Sequence, residues 1–215
     1  MTERRFIVIE GPIGVGKTSF ARRLAASLDA DLLLEEPESN PFLERFYRDP
    51  RAAALPTQLF FLLQRARQIE QLRQADIFNS VRVADFMIEK DRLFAEINLD
   101  RHELPLYEQV AESLALDPPT PDLVVYLQAP VDTLLFRIGR RGVEYERRFN
   151  RRYLERLTEA YSRFFHDFDS APLLIVNAAM IDPVHNDEHF GILRDEICRI
   201  RSGRHFFNPI AAALA

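Results

Sequence analysis

One cysteine, two lysines, seven glycines and no tryptophan occur in 215 residues. The single thiol, Cys198, cannot close an internal disulfide, which excludes a disulfide-stapled scaffold and fits a reducing, cytoplasmic setting. So few glycines, without a repeat or a low-complexity linker, exclude collagen-like and disordered chains. No apolar run reaches the ~18 residues of a membrane span, so no membrane role is expected. The opening stretch MTERRFIVIEG turns acidic and glycine-bearing after four apolar residues, unlike a signal peptide. A formal net charge of −5 argues against nucleic acid as the main partner, while leaving room for a local basic patch that meets phosphates. Lysine is the sharpest shortage: of 28 basic residues 26 are arginine, and only Lys17 and Lys90 are lysine.

What is present is 47% hydrophobic and predicts one domain over residues 1–215. Phe6–Ile9 reads as a buried strand, and Lys17–Leu28 carries apolar residues at helical spacing. Further strands are expected at Asp31–Leu34, Val81–Ala84, Leu123–Leu127 and Leu173–Val176. Helices are expected over Phe42–Tyr47, Thr57 to about Gln74, the stretch ending near Leu99, Glu103–Leu116, Asp132–Arg141, Asn150–Phe168 and Asp187–Arg201. Strands alternating with helices at this interval predict an α/β fold, a five-stranded parallel sheet flanked by helices. The apolar tail Phe206–Ala215 is left to dock on the body or on a second subunit.

The segment Gly11-Pro12-Ile13-Gly14-Val15-Gly16-Lys17-Thr18-Ser19 satisfies G-x-x-x-x-G-K-[ST] between a strand and a helix. Glycines let backbone N–H groups turn inward around phosphate oxygens, Lys17 sets a point charge near the β- and γ-phosphates, and Thr18 offers a hydroxyl to Mg²⁺. A nucleoside triphosphate, ATP with Mg²⁺, is therefore expected. The guanine-reading N-K-x-D motif is missing, since Lys90 follows Glu89, and the strand Leu123–Leu127 runs into Gln128-Ala129-Pro130 without the carboxylate of a motor ATPase. A small P-loop kinase remains, with its acceptor over the carboxyl ends of the strands. From Arg137 to Arg156 eight arginines face three glutamates, a basic segment in an acidic chain. Arg137 and Arg141, one helical turn apart beside Gly142, suit an arginine-rich lid over about residues 137–150 that closes on phosphate. In Glu35-Glu36-Pro37 alternate side chains point opposite ways, so one carboxylate of the pair faces the site. His185 and His189 lie four apart without a third ligand nearby and read as surface residues.

The ordered motifs IEGPIGVGKTS, EEP, TQLFFLLQRAR, DRLFA, LVVYLQAP and RIGRRGVEYE resemble the deoxyribonucleoside kinase family, especially its bacterial deoxyadenosine/deoxyguanosine kinases. The resemblance implies transfer of the ATP γ-phosphoryl to the 5′-hydroxyl of a deoxynucleoside in nucleotide salvage, deoxyadenosine or deoxyguanosine before deoxycytidine, by a homodimer. It assigns the general base to Glu36, base-edge reading to Gln58 and Arg65, and base stacking to Phe94. It assigns the sugar 3′-hydroxyl to Tyr47 and Glu146, and the phosphate clamp to Arg137 and Arg141. It gives Asp85, with Thr18, the metal, and sets Asn177–Asp182 around the donor adenine. One departure stands out: relatives follow the acidic residue of the third strand with an arginine, and here Phe86 follows Asp85, leaving Arg82 or Arg92 to compensate. A base-reading aspartate falls near Lys90-Asp91. A thymidylate kinase-like enzyme is disfavoured by the missing Arg-Glu-Pro-Gly-type motif, and a non-catalytic nucleotide switch has no use for an acceptor base.

Overall fold

The computed structural model describes residues 5–74, 81–143 and 150–208. Its strands are β1 (Arg5–Glu10), β2 (Asp31–Leu33), β3 (Val81–Ala84), β4 (Leu123–Gln128), β5 (Leu173–Asn177) and β6 (Arg204–Phe207). They form one sheet in the order β2-β3-β1-β4-β5-β6, and every pairing is parallel. The central strands are buried on both faces, as their continuous Val/Ile/Leu runs require. Because β1 lies between β3 and β4, the chain leaves its carboxyl end at the point where strand order reverses, and there a crevice opens.

The helices are α1 (Lys17–Leu28), α2 (Leu43–Arg48), α3 (Pro50–Gln74), α4 (Glu89–Asn98), α5 (Glu103–Ser113), α6 (Val131–Arg141), α7 (Arg151–Asp167) and α8 (Asp187–Arg199). Their apolar stripes cover the sheet: Phe20, Ala21 and Leu24 from α1, Leu154, Leu157, Tyr161 and Phe165 from α7, and Phe190, Leu193 and Ile197 from α8 join one core. A second apolar cluster ties α2, α3, α4 and α5 together through Leu43, Phe46, Ala53, Ala54, Leu62, Ala95, Leu99 and Tyr107. That cluster holds the roof of the crevice, so the acceptor side rests on a packed body of its own.

Two expectations change. The sheet has six strands rather than five. The added strand β6 has outward-facing Phe206 at 73% exposure and alternates exposed with half-buried residues, so it lacks the continuous buried apolar run of the central strands. Gly203, with φ +78, turns the chain into it, and Arg204 fastens it by donating to the carbonyls of His166 and Phe168. Residues 209–215 of the tail lie outside the described residues. The long helix α3 begins at Pro50 rather than Thr57 and runs through Pro56. Proline suits the first helical turn, and burial of Ala53 and Ala54 in the second cluster offsets the backbone hydrogen bond that Pro56 cannot donate.

Gly11 has φ +147, and a side chain there would collide with the Leu127 carbonyl oxygen. Gly139, inside α6, faces open space. Gly11→Ala is therefore expected to destabilise the fold by about 2 kcal/mol or more, whereas Gly139→Ala stabilises it by about 0.5–1 kcal/mol. Urea unfolding of the two variants checks the contrast in sign.

Candidate active site

The loop from Gly11 to Gly16 joins β1 to α1, and Gly16, at φ +105, is the residue that caps α1. No side chain caps that helix, and its first turn holds no acidic residue, so its leading N–H groups and positive dipole end are left for an anion. Lys17 is parked on the loop itself, its Nζ 2.6 Å from the Gly11 carbonyl oxygen and 3.3 Å from that of Pro12. Burial lowers its pKa, and the nearby Lys90 ammonium lowers it further. Beneath the loop Glu10 is fully buried and accepts from the Gly11 amide at 2.9 Å and the Tyr161 hydroxyl at 3.0 Å. Burial raises its pKa. Ile13, Gly14, Gly16, Lys17, Thr18 and Ser19 line the crevice directly, Val15 is buried behind them, and Pro12 contributes its carbonyl to Lys17.

From the loop the crevice extends under α2, α3 and α4 and holds about 1050 Å³ of space including its mouth. Tyr47 of α2, Gln58 of α3 and Phe94 of α4 share its wall with Phe46, Phe61, Asp91 and Tyr153. An amide, a carboxylate and several rings facing one hollow can hold a flat heterocycle by its edge and its face. The Phe94 ring is braced edge-on by Tyr161, with centroids 6.3 Å apart.

Of the two glutamates after β2, Glu35 enters the crevice and Glu36 does not. The ladder from β2 to β3 ends at Leu33 opposite Ala84, and the Asp85 carboxylate then accepts from the Glu35 amide at 2.7 Å. This bond carries the extended chain one step further and turns the Glu35 side chain inward. Glu36 begins the 3-10 turn Pro37–Ser39 and is exposed to solvent. The geometry thus corrects the expectation that Glu36 faces the site.

Glu35 belongs to a buried set of charges. Its Oε1 lies 2.8 Å from Arg65 Nη2 and its Oε2 lies 2.5 Å from Lys90 Nζ. Burial by itself would raise its pKa, but Lys90, followed by Arg65, overrides burial and holds the carboxyl at about 2. Arg65 is 1% exposed, stacks its guanidinium 3.9 Å from the Phe86 ring centroid, and engages all three nitrogens: Nε with Asp91, Nη1 with Gln68 and Nη2 with Glu35. The expected base reader is therefore a girder that orients two carboxylates, of which Asp91 lines the crevice. Arg82 bonds the Leu72 carbonyl and Arg92 pairs with Glu96 and Glu108, so neither supplies the cation missing after Asp85. Lys90 instead lines the crevice beside Glu35.

The Thr18 hydroxyl donates to Asp85 Oδ2 at 2.5 Å. A hydroxyl and a carboxylate at the foot of a phosphate loop form the hard-oxygen set that suits Mg²⁺ when phosphates complete the shell. Among the described residues no cluster of three or more His, Cys, Asp or Glu could hold a metal by itself, and His185 and His189 instead bond Asp182. Arg141 lines the crevice mouth, but Arg137 does not: it donates to the Val15 carbonyl at 2.9 Å and the Ala178 carbonyl at 2.7 Å. It thereby ties the back of the phosphate loop to the segment after β5, in the adjoining hollow formed with Arg140, Asp182 and His185. Glu146 lies outside the described residues. Asn98 and Tyr153 were not singled out by sequence, and Glu35 and Asp91 were named there only as members of the pairs Glu35-Glu36 and Lys90-Asp91. Only Glu35 and Asp91 carried a signal, as neighbours of Glu36 and Lys90.

The sequence model of the family "Deoxynucleoside kinase" matches residues 7–200. A deoxyguanosine kinase of Bacillus subtilis is 36% identical over 162 residues, covering 75% of this chain and 78% of its own. A deoxyadenosine kinase of Lactobacillus acidophilus is 31% identical over 194 residues, covering 84% and 88%. A solved structure of deoxyadenosine kinase from M. mycoides, with the products dCMP and a flexible dCDP bound, matches the fold with a TM-score of 0.80 at 24% identity, covering 91% of this chain and 100% of that one. The chain belongs to the deoxynucleoside kinase family.

Because the folded state holds Glu35 near pKa 2, well below the ordinary 4.5, its ionised form stabilises the fold above the unfolded pKa. That stability is lost as pH falls from about 5 toward 2. Glu35→Gln is expected to cost about 3 kcal/mol at pH 7. The gap to the wild-type chain should close progressively below pH 5, as read by urea unfolding across that range.

Proposed function

We propose that this deoxynucleoside kinase transfers the γ-phosphoryl group of ATP to the 5′-hydroxyl of a deoxynucleoside, with deoxyadenosine or deoxyguanosine favoured and deoxycytidine next. The observation that carries the reading is one crevice with a phosphate loop at one end, a ring-lined hollow at the other, and the ionised Glu35 between them. The deoxyguanosine and deoxyadenosine kinases among the relatives support the acceptor class.

The acceptor base lies against Phe94 with its edge toward Gln58 and the Asp91 carboxylate, which Arg65 keeps in place. Tyr47 borders the sugar. Glu35 accepts the hydroxyl proton as the oxygen attacks phosphorus, taking the role expected of Glu36. Loop amides, Lys17 and Arg141 offset charge on the moving phosphoryl group, and Arg137 fixes the loop that presents those amides. Thr18 and Asp85 would hold Mg²⁺, which when bound neutralises phosphate charge and aligns the triphosphate. We also read the working form as a homodimer in the cytoplasm, in keeping with the family resemblance.

ATP consumption with deoxyadenosine, deoxyguanosine, deoxycytidine and thymidine, each offered alone, tests the activity. A purine deoxynucleoside should turn over fastest. Activity only on a nucleoside monophosphate would sink the reading. Glu35→Gln should lower kcat about 100-fold or more, while Glu36→Gln stays within about threefold of wild type. The reverse pattern returns the base role to Glu36.

A further inference from the structure

We propose that Lys90 is the second phosphate-binding ammonium of the transfer site: it pairs with Glu35 before the transfer and with the phosphate of the product afterwards. This rests on the reading that the crevice phosphorylates a deoxynucleoside.

Lys90 sits in the first turn of α4, 7% exposed, and lines the crevice with Nζ 2.5 Å from Glu35 Oε2 and 5.7 Å from the Phe94 centroid. Lys90 and Lys17 both line this crevice, Lys17 held on the phosphate loop and Lys90 on Glu35. Like charges brought together out of water call for an anion between them. Arg65 is committed to three protein partners, and Arg82 and Arg92 point to other contacts. Lys90 is thus the cation of α4 and the β3 end that faces the acceptor oxygen beside Glu35.

The charge balance of the reaction favours an exchange of partner. The 5′-oxygen forms a bond to the γ-phosphorus, the bond from that phosphorus to the bridging oxygen breaks, and ADP leaves with its electron pair. The hydroxyl proton passes by way of Glu35 to solvent, since a carboxyl held near 2 does not stay protonated. Lys90 is then offered a second anion, the phosphate monoester made beside it, which competes with Glu35 for the ammonium. An ammonium, a compact point charge with three rotatable donors, can turn from one oxygen set to the other.

Binding of the 5′-monophosphate of the fastest-turned-over deoxynucleoside, measured by calorimetry without ATP, tests this beside binding of the nucleoside itself. Lys90→Met should weaken monophosphate binding about tenfold and lower kcat about 100-fold, with nucleoside binding within about threefold. Glu35→Gln, which removes the anion competing for Lys90, should tighten monophosphate binding. Adding Lys90→Met should erase that gain in a double variant that removes both charges together and leaves Arg65 with Asp91. Monophosphate affinity unchanged in Lys90→Met, or a gain that survives in the double variant, overturns the assignment. Absence of any nucleoside turnover by the wild-type chain instead overturns the reading on which it rests.

Discussion

The Arg65 guanidinium is the charge around which the acceptor side is assembled. It reaches from α3 to the segment after β2 through Glu35 and to α4 through Asp91, so three separate pieces of chain meet on one planar group. Its desolvation is costly, and three bonded nitrogens together with stacking on Phe86 offset that cost. Two carboxylates and two cations, Glu35, Asp91, Arg65 and Lys90, are joined by direct ion pairs and balance in formal charge. A balanced buried set is tolerable, whereas loss of any one member leaves an uncompensated ion. The same bonds that permit burial therefore fix the direction of Glu35 and Asp91, and stability and site geometry become one constraint.

The phosphate end follows a different logic. There the sequence leaves groups unsatisfied on purpose: an uncapped helix start, a first turn free of acids, and Lys17 held by loop carbonyls. Glu10 buttresses the loop from below through the Gly11 amide and Tyr161, and Arg137 from behind through Val15. The loop backbone is thus held from two sides by its neighbours. Asp85 joins the two ends, since its two oxygens hold Thr18 on one side and the Glu35 amide on the other.

The fold was legible wherever burial wrote a pattern. Strands flanked by covered faces show unbroken apolar runs, and the phosphate loop has a spacing that few other structures need. β6 escaped because an edge strand with one exposed face carries no such run, and the first two turns of α3 escaped because Pro50 and Pro56 signal a break that packing of Ala53 and Ala54 overrides. In the site, Tyr47, Gln58, Asp85 and Phe94 stand in or beside the crevice where the motifs set them. The choice between Glu35 and Glu36 was not legible, because it depends on a hydrogen bond from a side chain 50 residues away in sequence that extends the strand past its last ladder partner. Likewise Arg137 looks like a clamp by spacing and is a tether by contact, a distinction that only the positions of two carbonyls decide.

The shortage of lysine gains its meaning from where the two lysines stand. Among the described residues, arginines serve surface ion pairs, the sheet edge and the girder, as Arg92, Arg204 and Arg65 illustrate. Both lysines line the same crevice, Lys90 buried and Lys17 half-buried. A guanidinium presents a flat fork that binds a carboxylate at two points and holds it, which suits Arg65. At position 17 that fork would overfill the phosphate loop. At position 90 it would compete with Arg65 for both oxygens of Glu35. An ammonium takes one oxygen only, leaving the other to Arg65. In a chain that otherwise writes every positive charge as arginine, lysine is kept for the two places where a cation must be small and free to change partner.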